Sequence, residues 1–124
     1  MSFNWESYIK LAGDLINYQK TPNIKEAYLR SSMSRSYYGI FCIARNLLKR
    51  RGLTIKKIDT HRFVREEYQN STNRIEKKVA KDLSRLWKER KDADYEDIAV
   101  INMKRAKTAL YLSRRTLSIL KKLV

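Results

Sequence analysis

The sequence predicts a single all-α domain spanning residues 1–124, an up-and-down bundle of four to five helices. The chain has 124 residues, a length typical of one domain, and contains only 3 Gly and 1 Pro. So few turn-forming residues leave little room for the tight turns of a hairpin-rich sheet. Apolar residues also recur at helical spacing over long segments, which indicates amphipathic helices.

The first helix is predicted from Trp5 to Gln19, with Asn4 as its N-cap and Pro22 beyond its end. Its apolar stripe consists of Trp5, Tyr8, Ile9, Ala12, Leu15 and Ile16.

The second helix is predicted from Ile24 to Arg51. Asn23 and Glu26 have the spacing of a capping box, and Gly52 supplies a left-handed stop. A strand over the YYGIFCIA segment fits locally, but the helical stripe continues on both sides of it and favours a helix. That stripe consists of Met33, Tyr37, Ile40, Phe41, Ala44, Leu47 and Leu48.

Two more helices are predicted before the last one. A third helix is predicted from Thr60 through Tyr68, and Asn73 with Glu76 repeats the capping-box spacing at the start of a fourth. The polar run 91–97 is predicted to be a loop. The buried side of the fourth helix is predicted to be Ile75, Val79, Leu83, Leu86 and Trp87.

The fifth helix is predicted from Ile98 to Leu123. Its apolar residues, which include Ile98 and Val124 at the ends of the pattern, cover about half of its circumference, more than the ~100° that one neighbouring helix needs. Such a helix is either central in the bundle or shared with a second subunit.

Charge is the strongest compositional signal. Lys and Arg number 28 against 13 Asp and Glu, a net charge of +15. This surplus favours partners rich in phosphate, such as nucleic acid, although basic helix faces also serve solubility alone.

The single Cys42 forms no internal disulfide, and one Cys with one His cannot build a structural zinc site. We expect no metal and no cofactor. The start of the chain lacks the pattern of a signal peptide, and its apolar runs are too short to span a bilayer, so we expect a cytoplasmic protein with no membrane contact.

One candidate binding surface is a line of residues on the outer side of the second helix: Arg35, Tyr38, Cys42, Arg45 and Lys49. Guanidinium groups bind phosphate and tyrosine rings stack on unpaired bases, so this pattern suits RNA. The alternative is that Tyr38 packs against a neighbouring helix while the long basic side chains surround it.

The second candidate is the segment from Arg90 to Tyr95. Arg90 either pairs with Asp94 or holds a phosphate beside the Tyr95 hydroxyl. His61 is either a packing residue or a group suited to proton transfer, since its ordinary pKa is near 6.5.

Three segments, read in order, resemble the HEPN superfamily. The segment 34–41, Ser-Arg-Ser-Tyr-Tyr-Gly-Ile-Phe, is similar to its R-x-Y-Y-x-x-F helix. Gly52 and His61 follow at a spacing that the family often shows, and Arg90 with the Ala-Asp-Tyr of 93–95 is similar to its arginine and A-D-Y element. The resemblance covers about residues 30 to 97.

The resemblance implies a helical bundle, usually homodimeric, often encoded beside a small nucleotidyltransferase in toxin–antitoxin or defence pairs. Many members are metal-independent ribonucleases whose motif is Arg, four to six residues, then His, at a dimer seam. Here no His follows Arg90, and Tyr95 stands where the histidine would be. A phenol with a pKa near 10 is a poor base at neutral pH.

Three functions therefore remain open. The first is a HEPN-like protein that binds nucleotide or RNA through Arg35, Tyr38, Arg45, Lys49, Arg90, Asp94 and Tyr95, or pairs with a nucleotidyltransferase antitoxin for which Tyr95 is a nucleotidyl acceptor. The second is a metal-independent endoribonuclease with a variant site of Arg90, Tyr95 and His61. The third is a helical adaptor whose charge is incidental. The first two require Arg90 to meet the tyrosine-bearing side of the second helix.

Overall fold

A computed structural model describes residues 2–18 and 21–124, and it is a helical bundle with no strand in those two ranges. The predicted fold class is confirmed. In the part of the chain that the structure describes, a single turn of 3-10 helix at Pro22–Ile24 precedes the second of five α-helices. The α-helices are α1 (Glu6–Asn17), α2 (Lys25–Arg50), α3 (Thr60–Gln69), α4 (Arg74–Tyr95) and α5 (Met103–Lys122).

Helix α2 is the centre of the bundle and packs against α1, α3, α4 and α5. All seven residues of its predicted stripe are buried, with Met33, Tyr37 and Ile40 fully inaccessible. Gly52 ends the helix with a φ of 90°, in the left-handed region, which confirms the predicted stop.

The capping prediction holds at the start of α1 and fails at the start of α2. Asn4 Oδ1 accepts a hydrogen bond from the Glu6 amide at 3.1 Å, as a capping residue does. The capping box at Asn23 and Glu26 is wrong, because the 3-10 turn already leads into α2 and no side chain caps it. Glu26 instead forms an ion pair with Arg30 at 3.0 Å. The predicted end of the first helix at Gln19 lies outside the described residues.

The second capping box, at the start of α4, is only half correct. Asn73 Oδ1 accepts hydrogen bonds from the amides of Ile75 and Glu76. The Glu76 carboxylate does not return to Asn73 but pairs with Arg51 at 2.9 Å. Ile75, predicted to be buried, is 52% exposed because it lies in the first turn of α4, before the buried stripe begins.

The predicted loop 91–97 is wrong over most of its length, since α4 continues to Tyr95. Polar side chains near the end of α4 form ion pairs with residues of α5. Arg105 of α5 bonds Glu89 at 2.9 Å and Asp92 at 2.8 Å, while Ala93 is buried against the core. These contacts hold the last turns of α4 in helical form.

Helix α5 starts five residues later than predicted, because Asn102 Oδ1 caps it by accepting a hydrogen bond from the Arg105 amide at 2.9 Å. Ile98 is 94% exposed and Val124 is 80% exposed, so neither belongs to the apolar face. The rest of that face is covered within the chain by α1, α2 and α4. Over the described ranges, no helix combines the length and the apolar character needed to cross a membrane.

Candidate functional site

Arg90 lies at the centre of a group of aromatic and charged side chains. Its side chain is 10% exposed. Nη2 donates hydrogen bonds to the hydroxyl of Tyr38 at 2.5 Å and to that of Tyr95 at 3.2 Å. The expectation that Arg90 meets the tyrosine-bearing side of α2 is confirmed. The Arg90 cluster, as we use the term, consists of Tyr38, His61, Arg65, Trp87, Arg90, Asp94 and Tyr95.

Local sequence places three of these groups on one face of α4. Trp87, Arg90 and Asp94 follow one another at three- and four-residue spacing, which aligns their side chains. Arg90 Nε lies 2.9 Å from Asp94 Oδ2, an ion pair whose N–H is not directed at the oxygen. Ser34 of α2 donates a hydrogen bond to the same carboxylate oxygen at 3.2 Å. Of the two alternatives for Arg90, the pairing with Asp94 is the one present in the structure.

Trp87 is surrounded by cations. The guanidinium carbons of Arg90 and Arg65 lie 5.2 Å and 5.4 Å from its ring centre, and Lys91 Nζ lies 5.5 Å away. Arg65 Nη1 is buried and has no hydrogen-bond acceptor within the described ranges, and Arg90 Nε, also buried, has only the ion-paired Asp94 carboxylate, toward which its N–H does not point. Buried donors of this kind normally find a partner, so the cluster has unused capacity for an anion.

His61, at the start of α3, is a packing residue of the same cluster. Its ring centre lies 4.1 Å from that of Phe41 and 4.7 Å from that of Trp87. The Tyr37 hydroxyl lies 2.5 Å from Nδ1. The fold thus brings His61 beside Arg90, although the two residues come from different helices.

The protonation of His61 follows from these contacts. Burial first, and then the charges of Arg90 and Arg65, lower the pKa of His61 to about 4, so the ring is neutral at pH 7. Tyr37 is fully buried and its hydroxyl has no other partner in the described ranges, so it donates to Nδ1. The neutral ring then carries its proton on Nε2, which leaves His61 as a hydrogen-bond donor.

The hydroxyl of Tyr38 is likewise a donor rather than a base. Burial raises the pKa of Tyr38 above its ordinary value, and the nearby Arg90 only partly opposes that shift. Burial also raises the pKa of Tyr37. Both phenols therefore keep their protons at neutral pH.

The remaining residues of the predicted line on α2 face elsewhere. The guanidinium of Arg35 lies 4.9 Å from the ring centre of Tyr8, and that of Arg45 lies 5.8 Å from Trp5. Lys49 is exposed in a separate groove beside the end of α5. Cys42 is 5% exposed, so its predicted place on the outer side of α2 is wrong. Only Tyr38 of this line reaches Arg90.

Sequence reasoning missed four residues of the site. Arg65 belonged to no motif, since an arginine on a short helix is common, and Ser34 was noted only as the start of the 34–41 segment. Trp87 was interpreted only as a core residue, and Tyr37 as a core residue within the R-x-Y-Y-x-x-F helix, with no role at the site. The spacing offered one clue to these residues: Trp87 lies three residues before Arg90, and therefore on the same side of α4.

No group of three or more His, Cys, Asp or Glu side chains within residues 2–18 and 21–124 is placed to hold a metal ion. What the Arg90 cluster offers chemically is a set of cationic N–H donors, two phenols and a neutral imidazole N–H. These groups suit an anion beside a flat aromatic group.

A family model described as the HEPN domain matches residues 10–123, which is nearly the whole chain. No curated protein matches the chain.

Proposed function

This chain belongs to the HEPN domain family, a helical family that binds nucleotides and RNA, and we propose that its Arg90 cluster binds an RNA strand or nucleotide. One observation carries the proposal. Arg65 Nη1 is a buried guanidinium donor with no acceptor in the described part of the chain, and Arg90 Nε, also buried, has only the Asp94 carboxylate beside it, at an angle that makes no hydrogen bond. A phosphate oxygen supplies the acceptor that these donors lack, and guanidinium is the side chain best matched to phosphate.

Exposure decides how a ligand reaches Arg90. Tyr95 is the last residue of α4 and is 66% exposed, and its hydroxyl meets Arg90 Nη2 at 3.2 Å. We infer that rotation of this side chain exposes the guanidinium to a ligand while α4 stays in place. The Tyr95 ring then offers a surface on which a base stacks.

Charge supports an anionic ligand. Arg65, Arg90 and Lys91 surround Trp87, and among the described residues the cluster's one ion-paired carboxylate is that of Asp94. A phosphate bound at the cluster balances this excess in a partly desolvated site, where charge-assisted hydrogen bonds are strong.

Binding fits the cluster better than cleavage does. A ribonuclease needs a base for the 2′-hydroxyl proton, whereas His61 Nδ1 already accepts from Tyr37 and Nε2 carries the proton. The phenols of Tyr38 and Tyr37 also keep their protons.

The second candidate, a metal-independent ribonuclease with a variant site, keeps one supporting observation. His61 and Arg90 both lie against Trp87. Cleavage of RNA by pure protein in the presence of EDTA, lost in both Arg90→Met and His61→Gln, would establish it. A third candidate, a helical adaptor with incidental charge, predicts no RNA binding at low salt.

The test of the proposal is fluorescence anisotropy with a labelled oligouridylate. Arg90→Met removes the guanidinium and keeps most of the side-chain length. A charged hydrogen bond contributes about 1.5–3 kcal/mol, so we expect at least about tenfold weaker binding. Arg74→Met, the same change on the exposed start of α4, is the matched control and should bind as the unmodified chain does. Equal affinity of Arg90→Met and the control would refute the proposal.

We further propose that the chain is a cytoplasmic homodimer. Next to the Arg90 cluster, the end of α4 and the following connector expose Tyr95, Ile98 (94% exposed) and Val100 (74% exposed). An exposed apolar strip beside a functional site is typical of a surface that another chain covers. Light scattering should give a molar mass twice that of one chain. The Ile98→Glu variant should have the mass of a single chain, because a charge on this strip disfavours its burial.

Family membership also motivates the proposal that the partner is a nucleotidyltransferase antitoxin and that Tyr95 is a nucleotidyl acceptor. The Tyr95 residue is 66% exposed and lies at the end of α4, where such an enzyme can reach it. Its oxygen would attack the α-phosphate of ATP, with loss of the phenolic proton and release of pyrophosphate. Intact-mass analysis after incubation with the neighbouring gene product and ATP tests this. No adduct, or an adduct that persists in Tyr95→Phe, would exclude it.

A further inference from the structure

A second cationic surface lies on the solvent face of α5. Three adjoining grooves cross it, with volumes of about 530, 530 and 440 Å³. The first lies between α1 and α5, the second shares Lys107 and Tyr111 with it, and the third shares Lys104 and Thr108 with the second and reaches α4. The α5 track, as we use the term, has six cations around Tyr111: Lys10, Arg85, Lys88, Lys104, Lys107 and Arg114.

The positive charges of the α5 track are not neutralised by ion pairs within the described part of the chain. All six cations are exposed, and none forms an ion pair with residues 2–18 or 21–124. The acids that line the same grooves are Asp14 and Glu89, and Glu89 is already bound to Arg105 at 2.9 Å. The track therefore presents a strong positive field that ion pairs inside the chain do not cancel.

Tyr111 stands in the middle of the track with 63% of its surface exposed. The guanidinium carbon of Arg115 lies 5.9 Å from its ring centre. Arg115 is itself held by Asp82, a carboxylate with 2% exposure, at 2.7 Å. A buried acid thus fixes the cation that supports the ring, and the ring is left free for stacking.

Gly13 lets Arg114 form one wall of the groove. A Cβ at Gly13 would lie 3.0 Å from Arg114 Nη2, so glycine leaves the space in which the guanidinium lies this close to α1. The same groove contains Lys107 and Tyr111. Cationic and aromatic groups are therefore held along one concave surface.

The α5 track and the Arg90 cluster are separate sites. On α4, Lys88 precedes Arg90 by two residues, and at 100° per residue their side chains point to nearly opposite sides of the helix. Arg90 faces Tyr38 of α2, whereas Lys88 lies in the groove that leads to Lys104 of α5. A ligand on one site therefore does not occupy the other.

We propose that the α5 track binds the backbone of a single RNA strand and stacks one of its bases on Tyr111. Proteins that hold single strands combine a positive groove with an exposed aromatic ring. An acidic peptide needs the charge but not the ring, and a membrane surface needs a flat apolar face. The proposal extends the proposed function, because it rests on RNA as the ligand, but it uses different residues.

The test measures anisotropy of a labelled oligouridylate over a range of salt concentrations. Lys104→Gln/Lys107→Gln should bind at least tenfold more weakly and lower the salt slope by about 0.7 for each phosphate that the variant no longer neutralises. Tyr111→Ala should bind at least about fivefold more weakly, since stacking contributes ~1 kcal/mol or more, whereas Tyr111→Phe should bind normally. Lys56→Gln/Lys57→Gln, on the exposed connector before α3, is the matched control.

The outcomes separate this inference from the proposed function. Weaker binding by the track variants with normal binding by Arg90→Met would support the track and refute the Arg90 cluster. Weaker binding by Arg90→Met with normal binding by the track variants would support the Arg90 cluster and refute the track. Equally weak binding by Tyr111→Phe and Tyr111→Ala, or an effect seen with oligothymidylate but not with oligouridylate, would overturn the RNA track. Circular dichroism of each variant checks that the exposed substitutions leave the helices intact.

Discussion

Lowering the pH from 7 towards 4 should destabilise the folded chain through His61. An unfolded histidine has a pKa near 6.5, whereas burial and the two neighbouring arginines lower the pKa of folded His61 to about 4. Between these values the unfolded chain binds a proton that the folded chain does not. Stability is therefore full above pH 6.5, falls as the pH drops through this window, and loses no more from this group below about pH 4.

The size of the effect follows from the gap between the two pKa values. Each unit corresponds to about 1.36 kcal/mol, so a gap of roughly 2.5 units gives about 3 kcal/mol. That is a large share of the ~5–15 kcal/mol by which a domain is stable. The decrease should be visible in urea unfolding followed by circular dichroism at several pH values.

Carboxylates titrate in the same range, so a control is needed. His61→Gln keeps an acceptor near the Tyr37 hydroxyl and removes the titrating ring. The difference between the two pH profiles isolates His61 and should grow to about 3 kcal/mol as the pH falls from 6.5 to 4. Parallel profiles for His61→Gln and the unmodified chain would mean that His61 does not cause the acid destabilisation.

Nitrogen NMR gives a direct second measurement, because His61 is the one histidine in the chain. Its imidazole should titrate near pH 4, and at pH 7 its proton should reside on Nε2. In Tyr37→Phe the donor to Nδ1 is lost and the preference for this tautomer should weaken. A proton on Nδ1 at pH 7 in the unmodified chain would leave Nε2 free to act as a base.

Two substitutions test the packing that positions the sites. Gly39→Ala should cost about 1–3 kcal/mol of unfolding free energy, because the added Cβ would lie 2.8 Å from Ile9 Cγ1 and 3.2 Å from the Trp5 backbone oxygen. A urea midpoint equal to that of the unmodified chain would contradict this close approach of α1 to α2. Asp82→Ala should cost roughly 2 kcal/mol by removing the buried acceptor of Arg115, and it should also weaken RNA binding on the α5 track. Normal binding by the folded variant would mean that Arg115 does not support Tyr111.

The helices and the core could be predicted from the amino-acid sequence alone. Every α-helix has the same number of residues per turn, so the spacing of apolar residues correctly predicted the buried stripe of α2. The stop at Gly52 was also predicted correctly, because glycine readily adopts the left-handed conformation. The resemblance of three ordered segments to the HEPN superfamily also agrees with the family match over residues 10–123. Within the site, Arg90, Tyr38 and Tyr95 were singled out from these local patterns.

The ends of helices and the chemistry of the site depend on how the helices pack in three dimensions. A polar run such as 91–97 has the same local pattern whether it is a loop or the side of a helix that forms ion pairs with another helix. Here the ion pairs of Arg105, from α5, with Glu89 and Asp92 decide for the helix. His61 and Arg90 lie on different helices, and no local rule places one beside the other. The pKa and tautomer of His61 depend on burial, on Arg65 and on the Tyr37 hydroxyl, and these neighbours meet only when α2, α3 and α4 pack together.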